Sequence, residues 1–592
     1  MIYGKLTLED WRNACVEGEA PDSYYESPDL RLFFYGILHN RDMLQTASDS
    51  SNAKLAADVY LEDADLGFSR LDGSFTIVYY SNDKCGIVRD HHGTHYPVYY
   101  TSDGMFATSW VYLKECEEGN FRFDPVSLSH FLQRGIMDER RFVVSGIRRL
   151  NAGEHVKMDL HESLVLDKVV KHTVKVIEEE NPNVEVYSRR YGELHEQAIR
   201  RRIGNSRRVG ILLSGGYDSG SNLAALRTVY DGEIDSYSIG FKGDDWSELP
   251  MARLMSDTFK TRHHEYEIDG SEINALPDIV RFLGEPFVEG GLMVNYCAMR
   301  MIGNDKPDVI LGGDGSDQYF GTSGREVALH YLAARAGVRP FLHGISHLLS
   351  REMFNTGGKL SRVNFHLDKV LHVLEGERFG FSNSALCELL QNPKADFKPS
   401  ESPRANIRSF SHLYTQHALI SDLEIVIDRI ILFKASRMAQ MFGNNLTFPF
   451  MDLELYHFLQ ELPVSLKCKG DSVLNIARGR SVSKYLLKYH YKSLLPEEIT
   501  SKKKQGGFAP MPLFFCDSAQ RARFKEFILS SRIFDDYLSR EAVERFLEDY
   551  DRGAVRTDVW FWHRQNRAMQ YFNLLTLVTW WEEFVEEREV QF

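Results

Sequence analysis

The stretch that decides the fold is Val209-Gly210-Ile211-Leu212-Leu213-Ser214-Gly215-Gly216-Tyr217-Asp218-Ser219. It begins as a short apolar run bounded by glycines, and a helical pattern follows over residues 222–230. Another strand-like run occupies residues 234–241. This alternation of strand and helix predicts βαβ units and a parallel sheet, with the first run as a buried strand.

The segment from Ser214 to Ser219 is suited to holding an anion. Its glycines let backbone N–H groups approach closely, its serines add hydroxyl donors, and the following helix offers its positive N-terminus. The segment lacks the Gly-Lys-Ser/Thr ending of a Walker A loop. These six residues alone leave open a plain glycine-serine turn at the end of a strand.

Further segments extend the pattern along the chain. Ser-Gly-Gly-x-Asp-Ser after a buried strand resembles the pyrophosphate loop of the N-type ATP pyrophosphatases. Six more segments, in the same order, resemble the asparagine synthetase family: 236–241, 285–287 (Glu-Pro-Phe), 311–318 (Leu-Gly-Gly-Asp-Gly-Ser-Asp-Gln), 484–487 (Lys-Tyr-Leu-Leu), 495–499 and 503–508. The resemblance implies an enzyme that splits ATP between its α and β phosphates and adenylates a substrate.

The N-terminal region has a different character. Short β-rich segments separated by turns predict antiparallel hairpins at 31–38, 73–81, 86–90, 98–101, 105–108 and 155–158. Several of them resemble the amidotransferase domain of the same family. The acidic, proline-containing stretch 178–184 predicts a linker.

The expected fold is therefore α+β followed by α/β. The resemblance implies a degenerate class II glutamine amidotransferase-like domain of Ntn type over residues 1–175. It implies an asparagine synthetase-like ATP pyrophosphatase domain over residues 185–592, with a parallel sheet of the adenine-nucleotide α-hydrolase type. Helical additions are expected at 330–336, 370–374 and 412–441.

The beginning of the chain departs from a working glutaminase, whose nucleophile is a cysteine exposed after removal of the initiating methionine. Ile2 occupies that position, and Cys15 lies inside the chain. The combination resembles the glutaminase-dead branch of the family, namely the β-lactam and carbapenam synthetases and the lasso-peptide macrolactam cyclases. It implies an AMP-forming ligase that makes an amide bond, with intramolecular lactam or macrolactam formation in peptide natural-product biosynthesis as the expected reaction.

Three other functions stay open. The first is an ammonia-dependent asparagine synthetase, although residues 444–448 (Asn-Asn-Leu-Thr-Phe) lack the glutamate and arginine usual there, which argues against aspartate as the acyl substrate. The second is a tRNA-modifying PP-loop enzyme. The third is a binding protein without catalysis.

Site residues follow from the resemblance. Asp218 and Asp317 are expected to hold Mg²⁺, and Lys484 to stabilise the oxyanion. Asp314 is expected to orient or deprotonate the amine, and Glu285 completes the catalytic set. The expected ATP contacts are Leu212, Ser214, Gly215, Gly216, Tyr217, Asp218, Ser219, Ile239, Gly240, Gly313, Lys434, Lys503 and Lys504. Other roles stay open for these residues. Asp218 and Asp317 could each cap a loop, and Lys484 could be an exposed lysine on a helix. Lys503 and Lys504 could form a solvated run of charge.

Composition limits the partners. Among 592 residues, 70 are Lys or Arg and 84 are Asp or Glu, so the net charge of −14 disfavours nucleic acid. Seven scattered cysteines without a CxxC pair predict reduced thiols. We expect a cytoplasmic protein with no membrane partner, because no signal segment or bilayer-length apolar run occurs. The expected partner is a small-molecule or peptide substrate, and a leader-peptide-processing protease and a homo-oligomer are both compatible with the resemblance.

Overall fold

The computed structural model describes residues 1–8, 11–44, 50–116, 123–137, 141–159, 163–169, 175–177, 179, 181–243, 247–321, 324–350, 357–375, 380–396, 404–501, 509–553 and 559–592. It divides the chain into two compact units. The first unit comprises Met1–Ser127, Met137–Thr173 and Ile431–Arg437. The second comprises Leu128–Ile136, Val174–Ile430 and Met438–Phe592. No helix within the described ranges is long and apolar enough to cross a membrane.

The first unit is mostly β-structure. Its described strands are β1 (Ile2–Lys5), β2 (Val16–Gly18), β3 (Ser23–Glu26), β4 (Leu30–Leu38), β5 (Gly73–Ser81), β6 (Lys84–Arg89), β7 (Val98–Thr101), β8 (Met105–Ala107), β9 (Ile147–Leu150), β10 (Glu154–Asp159) and β11 (Leu164–Lys168). They form two antiparallel sheets, with the orders β2-β1-β8-β7-β9 and β11-β10-β6-β5-β4-β3. The accompanying helices are α1 (Asn52–Gly67), α2 (Trp110–Cys116) and α3 (Pro125–Arg134), of which α3 crosses the boundary at Ser127.

Strand β5 shows why this region forms layers. Successive side chains of a strand point to opposite faces. Phe75, Ile77 and Tyr79 join a buried cluster that includes α1. Val78 and Tyr80 join a second cluster with Ile2 and residues of β7 and β8 from the other sheet. Strand β5 is thus buried on both faces, between a helix and a second sheet.

The second unit contains a parallel sheet and many helices. Its strands are β12 (Val209–Leu212), β13 (Ile234–Phe241), β14 (Arg262–Ile268), β15 (Val309–Leu311), β16 (Leu446–Thr447), β17 (Cys468–Lys469) and β18 (Val482–Ser483). Its helices are α4 (Val184–Ile203), α5 (Tyr217–Val229), α6 (Leu249–Phe259), α7 (Leu276–Leu283), α8 (Leu292–Asp305), α9 (Ser316–Phe320), α10 (Arg325–Arg335), α11 (Arg339–Leu349), α12 (Lys359–Leu371), α13 (Asn383–Leu389), α14 (Pro393–Asp396), α15 (Phe410–His417), α16 (Leu432–Met441), α17 (Leu453–Gln460), α18 (Val464–Lys467), α19 (Val473–Ala477), α20 (Tyr485–Tyr491), α21 (Glu497–Ser501), α22 (Ser518–Ser530), α23 (Ile533–Asp536), α24 (Arg540–Gly553) and α25 (Phe561–Phe584). Helix α16 begins in the first unit and ends in the second.

The parallel sheet has the order β14-β13-β12-β15-β16. All four pairings are parallel, so β12 lies between β13 and β15. The chain moves outward from β12 in one direction through β13 and β14, then returns to the other side of β12 for β15. In such sheets ligands bind at the carboxyl ends of the strands, where the winding direction reverses. This point lies between β12 and β15.

The predicted β-rich region followed by a parallel α/β sheet is confirmed, but several boundaries differ. Helix α5 begins at Tyr217, not at residue 222, because Gly216 already supplies the extended backbone of an N-cap. The helical segment predicted over 412–441 contains a π-helix, Ala418–Ile431, between α15 and α16. The pattern did not indicate α1.

Candidate active site

Two glycine-containing loops meet at the carboxyl edge of the parallel sheet. The first follows β12 and leads into α5, and the second follows β15 and leads into α9. Leu212, the last residue of β12, pairs with Tyr237 of β13, and its neighbour Ile211 pairs with Leu311, the last residue of β15. Strands β12 and β15 therefore end within one residue of each other, and the loops that follow them begin side by side. The two loops are therefore neighbours at the reversal point of the sheet.

The first loop depends on Gly215. Its φ of +73° is in the region that favours glycine, and a Cβ there would lie 2.7 Å from Met251 Cβ and 2.8 Å from the carbonyl oxygen of Glu248. The loop is closed internally as well. The amide of Ser214 donates to Ser219 Oγ at 3.1 Å, and the two hydroxyls are also 3.1 Å apart. Ser219 is buried, whereas Ser214 is exposed.

Three predicted residues converge beside these loops. Lys484 Nζ donates to both carboxylate oxygens of Asp218 at 2.6 Å and lies 2.8 Å from Asp317 Oδ1. Asp218 and Asp317 are in the first turns of α5 and α9, and Lys484 immediately precedes α20. Secondary structure thus delivers two carboxylates and one ammonium to a single point from three distant parts of the chain.

The ammonium is far more buried than its partners. Lys484 is 4% exposed, while the side chains of Asp218 and Asp317 are 26% and 35% exposed. Burial by itself lowers the pKa of Lys484, but the two negative charges and their hydrogen bonds outweigh it, so the pKa is raised above its usual 10.5. The lysine is therefore a permanently charged group at neutral pH.

Lys484 also has an unusual backbone. Its φ of 52° and ψ of 44° are left-handed, which for a residue with a side chain costs roughly 1–2 kcal/mol. Such conformations persist where the surrounding structure over-determines them, and they cluster at functional sites. Here the left-handed turn places the ammonium at the base of α20, facing the two aspartates.

Ser316 is a member of this cluster that was not predicted. Its hydroxyl donates to Asp218 Oδ1 at 2.7 Å and so connects the second loop to the first. Its position directly before Asp317, in the second acidic motif, was the available signal.

Several other predicted residues lie on the strands, loops and helices next to this cluster. Leu212 ends β12, Tyr217 begins α5, and Ile239 with Gly240 lies near the carboxyl end of β13. In the second loop, a Cβ on Gly313 would be 3.5 Å from the amide nitrogen of Ser219. Asp314 is half-buried in the following turn.

Other predicted residues lie apart from these loops in the sequence. Glu285 is buried in the segment between α7 and α8. Gly216, by contrast, belongs to the first loop, where its extended backbone caps α5. Lys434 is a buried residue of α16, in the part that groups with the first unit. Lys503 and Lys504 lie outside the described residues.

The acidic pair can be tested against Mg²⁺. Within the described ranges no group of three or more His, Cys, Asp or Glu side chains is placed to hold a metal. Mg²⁺ does not need such a cage, because it commonly binds one or two carboxylates together with substrate phosphates and water. Asp218 and Asp317 supply hard oxygen ligands that converge on one point, so this donor set fits Mg²⁺ held jointly with a nucleotide.

In the first unit, Ile2 begins β1 and its amide donates to Thr108 Oγ1 at 3.0 Å. Cys15 is an exposed free thiol just before β2. That this unit does not hydrolyse glutamine stays a prediction.

Comparison with known proteins assigns the family. The sequence model described as asparagine synthase matches residues 190–582. A glutamine-hydrolyzing asparagine synthetase from Bacillus subtilis is 21% identical over 607 residues, which cover 96% of this chain and 90% of that protein. A glutamine-hydrolyzing asparagine synthetase from Zea mays is 27% identical over 142 residues, or 22% of this chain and 24% of the relative.

Among solved structures, a glutamine phosphoribosylpyrophosphate amidotransferase from Bacillus subtilis is similar over 41% of this chain and 47% of its own, with 11% identity and a TM-score of 0.18. No assignment rests on so low a TM-score. The family match is different in kind, because it spans more than half of the chain and includes both loops, Asp218, Asp317 and Lys484. The chain therefore belongs to the asparagine synthase family.

Proposed function

We propose that this protein is an ATP-dependent ligase that adenylates a substrate carboxylate, releases pyrophosphate and joins the acyl group to an amine. The observation that carries the proposal is the meeting of Lys484 with Asp218 and Asp317 at the reversal point of the parallel sheet. A glycine-rich loop beside a helix N-terminus suits phosphate groups, and two carboxylates suit the metal that accompanies them.

In the first half-reaction, an oxygen of the substrate carboxylate attacks the α-phosphorus of ATP. The bond between the α-phosphorus and the bridging oxygen breaks, and pyrophosphate leaves. The backbone amides of the loop after β12 and the hydroxyl of exposed Ser214 are the donors for the departing phosphates. Mg²⁺, when bound by Asp218 and Asp317, supplies neutralisation of the phosphate charge.

In the second half-reaction, a neutral amine attacks the acyl carbon, and AMP leaves after the tetrahedral oxyanion collapses. The ammonium of Lys484 lies beside the two loops, and its raised pKa keeps it charged as negative charge develops. The amine must lose a proton before the amide forms. Asp314, in the turn next to this cluster, is our candidate for accepting it.

The amine is proposed to come from the substrate itself, giving a lactam or macrolactam within a peptide. Ile2, where a glutaminase has its cysteine, supports this, as do Asn445 and Thr447, where asparagine synthetases typically have glutamate and arginine. A cytoplasmic location, a peptide or small-molecule substrate and an associated leader-peptide protease belong to the same proposal.

A second candidate is synthesis of asparagine from aspartate and ammonia. It is favoured by the asparagine synthetase from Bacillus subtilis that aligns over 96% of this chain. Aspartate-dependent release of pyrophosphate in ammonium chloride would select this candidate. Release that requires a peptide carrying both a carboxylate and an amine would select the lactam reaction.

The test is product analysis with ATP, Mg²⁺ and each candidate acceptor. We expect AMP and pyrophosphate in equal amounts, and a loss of at least a hundredfold in Asp218→Ala. Asp278→Ala is the matched control, because Asp278 is 64% exposed in a surface pair with Arg281. ADP with orthophosphate as products, or full activity of the Asp218 variant, would refute the proposal.

A further inference from the structure

A chain of buried hydrogen bonds lies behind the Lys484 cluster. The side-chain amide of Asn222 donates to the carbonyl oxygen of Gly312 at 3.0 Å. His195 Nε2 lies 2.8 Å from Asn222 Oδ1, and His195 Nδ1 lies 2.7 Å from the hydroxyl of Tyr491. His195 and Asn222 are 0% exposed and Tyr491 is 1% exposed.

The direction of every bond in this chain is determined by its chemistry. The carbonyl of Gly312 can only accept, so the amide nitrogen of Asn222 faces it and the amide oxygen faces His195. His195 Nε2 therefore carries the proton, and Nδ1 accepts from the hydroxyl of Tyr491. Burial lowers the pKa of His195 to about 4, which keeps this imidazole neutral. The hydroxyl of Tyr191 is a more distant neighbour of Nδ1, at 3.4 Å.

Three members of the chain lie on or next to elements that position the cluster residues, and the fourth, His195, joins them from another helix. Asn222 lies one turn after Asp218 on α5, and residues four apart share a helix face. Tyr491 ends the helix α20 that Lys484 precedes. Gly312 opens the second loop, which carries Asp314 and leads into α9 with Asp317. Helix α4 contributes His195, whose ring also stacks on Phe450 with a centroid distance of 4.9 Å.

We propose that His195, Asn222 and Tyr491 are positioning residues. They hold the second loop and α20 against α5, so that Asp317 and Lys484 stay beside Asp218. Buried polar groups are unfavourable unless all of them are satisfied, and a satisfied network specifies one geometry where an apolar contact allows several. The link to nucleotide binding rests on the proposed function, whereas the link to loop position does not.

Paired substitutions at His195 test this role. His195→Leu removes both hydrogen bonds, and His195→Gln retains one donor and one acceptor on a side chain of similar reach. His330 supplies the control pair His330→Leu and His330→Gln, because it is another buried histidine, with Nδ1 2.8 Å from the carbonyl of Val370. Tyr491→Phe, which removes only a hydroxyl, serves if His195→Leu does not fold.

Two measurements are made on the full chain. The first is deuterium uptake by backbone amides in residues 309–317 and 484–491. The second is the dissociation constant of α,β-methylene-ATP with and without Mg²⁺. For His195→Leu we expect at least tenfold faster uptake in both segments and a tenfold loss of the Mg²⁺-dependent tightening. Binding without Mg²⁺ should stay within twofold, because the loop after β12 is outside the chain of hydrogen bonds.

For His195→Gln, the rates of deuterium uptake and the Mg²⁺-dependent tightening are expected to stay within threefold of those of the unsubstituted protein. Tyr491→Phe is expected to speed uptake only in residues 484–491. A general loss of stability would instead affect both binding constants alike and would not be rescued by glutamine. The inference is overturned if His195→Leu leaves both segments unchanged, if His195→Gln is as damaged, or if His330→Leu has the same effect. If the unsubstituted protein binds no nucleotide, the proposed function fails, and deuterium uptake alone decides the positioning role.

Discussion

Replacing Lys484 by methionine is the sharpest perturbation of the site. Methionine is similar in length, so the change removes the buried ammonium and leaves Asp218 and Asp317 facing each other. Breaking a fully buried ion pair typically costs about 3–5 kcal/mol. Here both carboxylates are partly open to solvent, at 26% and 35% exposure, and solvent screens them. We therefore expect a loss of about 2–3 kcal/mol in the free energy of unfolding of the second unit.

The sign of the pH dependence follows from the raised pKa of Lys484. A lysine with a higher pKa in the folded state stabilises the fold fully below its unfolded pKa of about 10.5. That contribution is lost only as the pH rises through the still higher folded pKa. The difference between the unsubstituted protein and Lys484→Met should therefore be constant from about pH 7 to pH 9 and shrink above about pH 10.5.

Added Mg²⁺ provides an independent check. If the freed carboxylates bind the ion only in the folded state, Mg²⁺ at one hundred times its dissociation constant should stabilise Lys484→Met by about 2.7 kcal/mol. The unsubstituted protein should gain less, since its ammonium already neutralises the same oxygens.

Urea unfolding followed by tryptophan fluorescence measures these differences, because Trp580 and Trp581 lie in α25 of the second unit. A chain of this size unfolds in more than one step, so the unfolding transition that these tryptophans report is fitted separately from any other. Equal stability of Lys484→Met at pH 7, or a difference already lost at pH 8, would refute the electrostatic reasoning.

Three further predictions use matched positions elsewhere in the chain. Gly215→Ala should abolish nucleotide binding in calorimetry, because the new Cβ meets Met251 and Glu248, whereas Gly243→Ala, also at φ +73° but with nothing within 4 Å, should bind normally. Lys467→Met should change stability in the opposite direction to Lys484→Met, because burial lowers the pKa of Lys467 to about 8. The variant's free energy of unfolding, measured in urea at pH 7, should be about 3 kcal/mol higher than that of the unsubstituted protein. This difference should disappear as the pH rises from about 8 to about 10.5. Asp452→Ala should lower the urea midpoint by the equivalent of about 3–5 kcal/mol, because this fully buried carboxylate pairs with Arg201 at 3.0 Å and caps α17; an unchanged midpoint would contradict this.

The parallel sheet and the residues of the cluster could be predicted for different reasons. Short apolar runs with glycine at their ends indicate buried strands from local pattern alone. Asp218, Asp317 and Lys484 were identified because their motifs resemble a known family. Helix boundaries were less accessible, since the first turn of α5 consists of residues that also suit a loop. Helix α1 was missed, and the segment 412–441 was predicted as helix without its π-helical part, Ala418–Ile431.

His195, Asn222 and Tyr491 carry no motif, and each looks like an ordinary helix residue. Their significance appears only when α4, α5 and α20 are packed together, because Asn222 and Tyr491 are joined through His195 across hundreds of residues of chain. A hydrogen bond between distant segments leaves no periodic signature in the sequence.

Local sequence by itself determined which segments become strands and glycine-containing turns, because apolar periodicity and the freedom of glycine act over a few neighbouring residues. It also determined the chemical groups available, two carboxylates and a lysine. Only the tertiary structure decided that these groups meet, since the strand order β14-β13-β12-β15-β16 brings two loops together and α20 adds Lys484 from far along the chain. The burial of Lys484 and its raised pKa also depend on the tertiary structure, because charge and desolvation depend on what surrounds a side chain in space.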